Sequence, residues 1–339
     1  MSRKRCLITG ITGMVGSHLA DFLLENTDWK IYGFCRWNDD FTNIRHLFKE
    51  INNSNRVHLI YGDLNDQVSL FKCMSSSKPD YIFHLAAQSY PQTSFLAPIE
   101  TLQTNIIGTA NILEAVRSHS DLADAVIHVC ASSEVFGRVS KDMIPIKEDC
   151  TFHPASPYAI SKVGTDLLGR YYAEAYDMNI MTTRMFTHTG PRRGDVFAES
   201  TFAKQIAMIE AGIQDPIVKV GNLDSMRTWS DVRDAVRAYY MLVTINPVRG
   251  EYYNIGGSFS CSVGEMLSYL LSISSRDDIE VVVEEARLRP IDADLQIPCT
   301  EKFENHTGWK TEISFEKTMK DLLNYWRYRV KNEKIFLSR

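Results

Sequence analysis

Short apolar runs alternate with amphipathic stretches through about the first 190 residues. The runs at 5–9, 30–35, 57–61, 81–85, 125–131 and 178–186 have strand length, and several show little polar alternation. A strand on a half-exposed sheet alternates with period two. A run without that alternation is expected where a parallel sheet is covered on both faces. Between the runs the apolar spacing lengthens to a helical period, at Val15, Leu19, Phe22 and Leu23, and again at Ile106, Thr109, Ile112, Leu113 and Val116. Regular strand–helix alternation predicts an α/β fold, a doubly wound parallel Rossmann sheet.

After about residue 190 the rhythm loosens. Arg192-Arg193-Gly194-Asp195 reads as a loop. A helix at 202–211, strands at 217–220 and 252–255, and a closing helix at 315–330 follow. This predicts a dinucleotide-binding domain over 1–190 and a smaller α/β lobe over 191–339 that is interleaved with it. The tail at 331–339 is expected to be peripheral.

Composition narrows the classes. Hydrophobic residues make up 44% and charged residues 23%, a balance that fills a globular core. Net charge is −5 with no basic tract or arm, which argues against a nucleic-acid or anionic-membrane partner. The basic start at Arg3-Lys4-Arg5 is followed by an apolar run too short for a signal peptide or a membrane span. Seven cysteines occur, none in a C-x-x-C pair, so free thiols in a reducing cytoplasm are expected and no metal site.

Chemistry enters with the first strand. Gly10, Gly13 and Gly16 follow it directly, where a helical pattern opens. Glycines at this spacing let the backbone turn tightly and approach a pyrophosphate at a helix N-terminus. At the end of the second strand an NAD site wants an acid for the ribose 2′-hydroxyl, and this chain has Arg36. A guanidinium suits a 2′-phosphate, so NADP is expected over NAD; a solvated loop arginine is the alternative. Asp63 follows the third strand and is placed to meet an adenine, or to cap the next helix. Leu85 and Ala87 lie at the end of the fourth, where small residues leave room for a cofactor.

Two further segments read as a redox site. Ser156-Pro157-Tyr158 looks like a helix start, which puts Tyr158 and Lys162 one turn apart on one face. A lysine ammonium beside a phenol is expected to favour the phenolate, so that Tyr158 takes a proton while hydride leaves carbon. Ser132, Ser133 and Glu134 follow a buried strand at its carboxyl end, where ligands sit in such sheets. Either serine has the alternative of a satisfied strand-end hydroxyl. A carboxylate at the end of a core strand needs a partner or a task.

These residues, in this order, resemble the extended short-chain dehydrogenase/reductases, and within them the GDP-mannose 4,6-dehydratases, over about residues 4 to 328. Other matching segments are Thr187-His188-Thr189-Gly190-Pro191-Arg192-Arg193-Gly194, Gly221 to Arg227, and Arg289-Pro290-Ile291-Asp292. The resemblance implies chemistry at Ser132, Glu134, Tyr158 and Lys162. It implies a nucleotide diphosphate held by Lys204, Arg227 and Arg289, with Asp292 on the ribose and Ser133 near the substrate. It also implies a GDP-sugar substrate and a homodimer or homotetramer. Three positions depart from the family pattern. Thr187 stands for a usual Asn, Phe136 for a usual Tyr, and Cys35 for a common second arginine. Thr187 lies near the expected sugar, so a GDP-manno-heptose stays open beside GDP-mannose.

The expected reaction begins with transient oxidation at C4 by NADP. Glu134 then removes the C5 proton and water leaves from C6. A GDP-sugar epimerase or reductase needs Tyr158 and Lys162 but not Glu134. A redox sensor that keeps only the nucleotide turn would have no use for the intact Ser132, Tyr158 and Lys162.

Overall fold

The computed structural model describes residues 3–53, 55–288, 293–333 and 335. Arg289 and Asp292, both expected at the substrate site, lie outside the described residues.

Six of the apolar runs form strands β1 (Arg5–Thr9), β2 (Lys30–Cys35), β3 (Val57–Tyr61), β4 (Tyr81–His84), β5 (Val126–Cys130) and β6 (Ile180–Met185). With a seventh strand, Tyr252–Ile255, they make one parallel sheet, ordered Tyr252–Ile255, β6, β5, β4, β1, β2, β3. The sequence reading assigns 252–255 to the smaller lobe. The structure pairs it with β6, Tyr252 against Thr182 through Ile255 against Met185. The reason lies in its faces: Tyr253, Asn254 and Ile255 are all buried, and the amphipathic helix Val232–Thr244 returns the chain across the large sheet. Three apolar runs outlast their strands. Leu85, Ala131 and Phe186 fall just past the ends of β4, β5 and β6, and all three line the cleft above the sheet.

Helices cover both faces, which is why the strands lack alternation. Helices Met14–Asn26 and Val232–Thr244 bury Leu19, Leu23, Val236, Tyr239 and Leu242 against one face. Helices Gln67–Ser77 and Gly108–Arg117 bury Leu70, Met74, Ile112 and Val116 against the other.

The second lobe has its own core under helices Ala198–Glu210, Val263–Ser272 and Phe315–Asn332. Strand Met226–Asp231 is central there. It pairs with Phe259–Ser262 on one side and Leu295–Gln296 on the other, and with His188–Thr189 beyond. Asp231 ends this strand, fully buried. It caps the following helix through the Arg233 N–H (2.8 Å), and it accepts from the Arg233 guanidinium and the Thr318 hydroxyl. That one carboxylate joins the strand to the closing helix. Among the described residues no helix is long and apolar enough to cross a membrane.

Three buried histidines and His188 on the cleft wall are held neutral by desolvation. Burial lowers His84 and His128 to about 3, and His18 and His188 to about 4. Unfolded histidine titrates near 6.5. Above that pH neither state binds the proton and stability is level. Below it the unfolded chain takes up protons that the folded chain refuses, so stability falls as pH falls. Each histidine contributes up to about 1.4 kcal/mol per pH unit until its folded pKa is reached. Urea midpoints should therefore be level from pH 8 to 7 and drop steeply from 6.5 to 5, with a shallower drop in His128→Asn. A level midpoint down to pH 5 would refute neutral burial.

Candidate active site

The strand order reverses between β1 and β4, so their carboxyl ends part there and a crevice opens. Gly10 sits in it at φ +73°. A Cβ on Gly10 would lie 2.9 Å from Ala86 Cα, and one on Gly16 would lie 2.3 Å from Gly10 O. Both positions demand glycine for close backbone approach. Gly13 differs: a Cβ there would meet only Gly10 O at 3.3 Å and would otherwise project into the cleft. Gly13 also precedes helix Met14–Asn26, whose N-terminus has no side-chain cap and no acid in its first turn. Its unsatisfied N–H groups are available to an anion.

The cleft holds about 1080 Å³ and is walled by both lobes. That volume suits two ligands side by side better than one. Gly10, Gly13, Gly16, Arg36, Asp63, Leu85 and Ala87 all line it. Asp63 Oδ1 accepts from the Asn65 N–H (2.9 Å), and the cap of the next helix is Asp66. Arg36 is largely exposed, with its Nε on Asp39 Oδ1 at 2.9 Å. Cys35, in place of a second arginine, is a buried thiol pushed up to about 12 by desolvation.

Ser132, Ser133, Glu134, Tyr158 and Lys162 meet in the same cleft. Ser132 caps a single 3-10 turn, Ser133–Val135, through the Glu134 N–H (3.2 Å), which fixes Glu134 beside it. Ser156 caps helix Pro157–Ala175 through the Ala159 N–H (3.0 Å), with Pro157 opening the helix and Tyr158 next. The Ser132 hydroxyl stands near enough to the Tyr158 phenol to favour its charged form.

One electrostatic expectation is corrected. Lys162 does not lower the phenol. Burial raises Tyr158 well above its ordinary value, with the Ser132 hydroxyl opposing and the Glu134 charge adding to the rise. Burial likewise lowers Lys162, whose ammonium donates to Cys130 O at 2.8 Å. Burial costs the phenolate more than the neighbouring donors return.

The substrate-side residues separate. Arg227 lines the cleft from strand Met226–Asp231, with its guanidinium donating to Ala293 O. Lys204 does not line it. It is buried on helix Ala198–Glu210, paired with Asp195 at 2.8 Å and set over the Trp326 ring.

Several residues on the cleft wall or behind it escaped the sequence reading. Arg193 lies 3.4 Å over the Phe197 ring and pairs with buried Glu199 at 2.9 Å. His188, its pKa lowered by burial, lines the wall beside it, next to Thr187, which the sequence already placed near the sugar. Asn105 sits in a π-helical turn, Gln103–Ile107, and ties Gln88 at the end of β4 to Ser161 on the Tyr158 helix. The quoted motif Thr187 to Gly194 could have drawn attention to Arg193 and His188. Nothing in the local pattern marks Asn105, because a π-turn has no spacing signal of its own.

A sequence profile described as GDP-mannose 4,6 dehydratase matches residues 7–322. The chain belongs to that family. It is 32% identical to "GDP-mannose 4,6 dehydratase 1" of Arabidopsis thaliana, over 98% of this chain and 92% of that protein. It is 28% identical to a GDP-6-deoxy-D-mannose reductase of Pseudomonas aeruginosa, over 97% and 99%. The solved structure of RMD from Pseudomonas aeruginosa complexed with NADPH matches with a TM-score of 0.81 at 27% identity. It covers 96% of this chain and 100% of that one.

The two glycine classes yield a contrast for this dehydratase-family chain. Gly16→Ala should destabilise by about 1–3 kcal/mol, since backbone must move to admit the methyl. Gly13→Ala should leave the urea midpoint nearly unchanged and lower dinucleotide affinity. Equal midpoints for the two variants would contradict the close approach at Gly16.

Proposed function

We propose that the protein is a nucleotide-sugar 4,6-dehydratase acting on a GDP-manno-sugar, GDP-mannose first among them, with NADP as its cofactor. The observation that carries the reading is Glu134. A carboxylate held on the same turn as Ser132 and facing the cleft with Tyr158 has no use in simple hydride transfer. The cofactor fits the residues present: an uncapped helix N-terminus beside glycines for the pyrophosphate, and Arg36 for a 2′-phosphate. When bound, it would supply a hydride acceptor and donor.

The chain's residues divide the remaining work. Tyr158 takes the proton from the C4 hydroxyl, and Ser132 shares the hydrogen bond to that oxygen. Lys162, seated on Cys130 O, holds positive charge beneath the phenol. A ketone at C4 acidifies C5, and Glu134 takes that proton as the C6 hydroxyl leaves. Arg227 meets the nucleotide diphosphate, with Arg289 and Asp292 assigned there by resemblance.

A GDP-sugar reductase or epimerase is the second reading. It is favoured by the similarity to the Pseudomonas reductase over nearly both full lengths. Glu134 argues for the dehydratase. A GDP-manno-heptose remains the alternative sugar, because Thr187 offers a smaller side chain at the wall. Seven free cysteines support a reducing, cytoplasmic setting. Exposed Leu96, Ile99 and Ile107, with Ile160, Leu167 and Tyr171 on helix Pro157–Ala175, support a homodimer or homotetramer.

Titration with GDP tests the nucleotide grip. Arg227→Ala should weaken GDP by about thirtyfold, some 2 kcal/mol for a lost charged contact. Lys204→Ala should leave GDP affinity within about twofold and lower the melting temperature, because it removes the buried cation of the Lys204–Asp195 pair and its contact with Trp326. The reverse pattern would return Lys204 to the site.

Glu134→Gln tests the base. The variant should still build NADPH absorbance from bound NADP on adding GDP-mannose, while product forms about 10²–10⁴-fold more slowly. Wild type in heavy water should place one deuterium at C5 of the 6-deoxy product. Full-rate dehydration by the variant, or no deuterium at C5, would move the reductase reading ahead.

A further inference from the structure

The carboxyl end of β2 carries two opposite charges in contact. Asp39 Oδ1 accepts from Arg36 Nε at 2.9 Å. Its Oδ2 accepts from the Arg36 backbone N–H at 3.2 Å and from the Thr12 hydroxyl at 3.1 Å. The Asp39 N–H returns a bond to Arg36 O at 3.3 Å, so residues 36–39 close a turn. Thr12 belongs to the glycine turn, and the carboxylate therefore clips the end of β2 to the cofactor loop. Thr12, Arg36 and Asp39 all line the cleft.

The inventory of donors and acceptors decides what such a turn can hold. An ionised carboxylate offers about four acceptor sites, and Asp39 uses three, which leaves one for a ligand hydroxyl. Arg36 spends its Nε on Asp39, and its terminal amino groups make no hydrogen bond among the described residues. They remain for an anion. Donors for a phosphate and an acceptor for a hydroxyl thus stand side by side, and the net charge of the pair is zero. Arg192 also lines the cleft, but its guanidinium is paired with Asp21 at 2.6 Å.

We propose that Asp39 is a specificity-determining residue that limits how strongly this site prefers NADP over NAD. The proposal rests on the dinucleotide reading above and adds to it that Arg36 does not act alone. A 2′-phosphate gains the Arg36 donors and meets the Asp39 charge, which repels it. A 2′-hydroxyl gains the open acceptor of Asp39 and needs nothing from Arg36. Asp39 also keeps Arg36 in place, but at a largely exposed guanidinium that ordering is worth less than the removal of a like charge.

Titration calorimetry of the full chain with NADP+ and with NAD+ tests this without any catalytic readout. The unmodified protein should bind NADP+ more tightly than NAD+, but by less than about a hundredfold, because the Asp39 charge offsets part of the Arg36 attraction. Asp39→Asn keeps the shape and one acceptor. It should tighten NADP+ about five- to tenfold, weaken NAD+ about threefold, and make NADP+ binding more sensitive to salt. Asp39→Ser should move both affinities the same way, with melting temperatures confirming that both variants fold. Weaker NADP+ binding by Asp39→Asn would overturn the proposal and make Asp39 a support for Arg36. A preference of the unmodified protein for NADP+ beyond about a hundredfold would overturn it without any variant. Failure of the unmodified protein to bind either dinucleotide would overturn the cofactor reading itself.

Discussion

Backbone meets backbone at the glycine turn, and the site is built outward from that contact. Gly10 lies against Ala86 across the divergence of β1 and β4, and Gly16 lies against Gly10 O. No side chain larger than hydrogen fits at either place. Because the sheet is parallel, all its carboxyl ends face the same way. The contact between β1 and β4 therefore sets where every residue following β2, β3, β5 and β6 can reach. Thr9 reinforces it, since its buried hydroxyl accepts from the Leu85 and Ala86 N–H groups while also meeting His84.

The same burial that orders this region opposes its chemistry. Desolvation raises the Tyr158 phenol and lowers the Lys162 amine, so both groups drift toward neutrality. Backbone carbonyls and hydroxyls answer part of this. Cys130 O holds the ammonium, and the Ser132 hydroxyl favours the phenolate. A site already furnished with fixed dipoles needs little reorganisation when charge develops on a substrate oxygen. Phe186, Phe202 and Trp229 add apolar surface to the same cleft.

The second lobe supplies the other wall through one strand and one buried acid. Met226–Asp231 presents Arg227 and Trp229 to the cleft, while Asp231 anchors the strand to helices on either side. Lys204 and Arg227 are both cations assigned to the diphosphate by resemblance, yet only Arg227 reaches the cleft. Lys204 points into the lobe, where Asp195 and Trp326 satisfy it. Arg36 and Asp39 show the same principle at the cofactor end, where the partner of a charge matters as much as the charge.

The sequence by itself determined the periodic elements and their chemistry-bearing ends. Strands buried on both faces read as unbroken apolar runs, and glycines forced by close approach read as a spaced motif. Ser156-Pro157 announced a helix start because capping is local. Those are properties of a few consecutive residues. Tertiary structure decided everything that depends on what lies opposite. It moved strand Tyr252–Ile255 into the large sheet, since pairing is set by burial across the fold. It raised the phenol of Tyr158 instead of lowering it, since desolvation is a sum over neighbours distant in sequence. It turned Lys204 inward and brought Asn105 and Asp39 into contact with the site's scaffold. Spacing along a chain specifies which face a side chain occupies, but only the folded chain specifies the partner that meets it there.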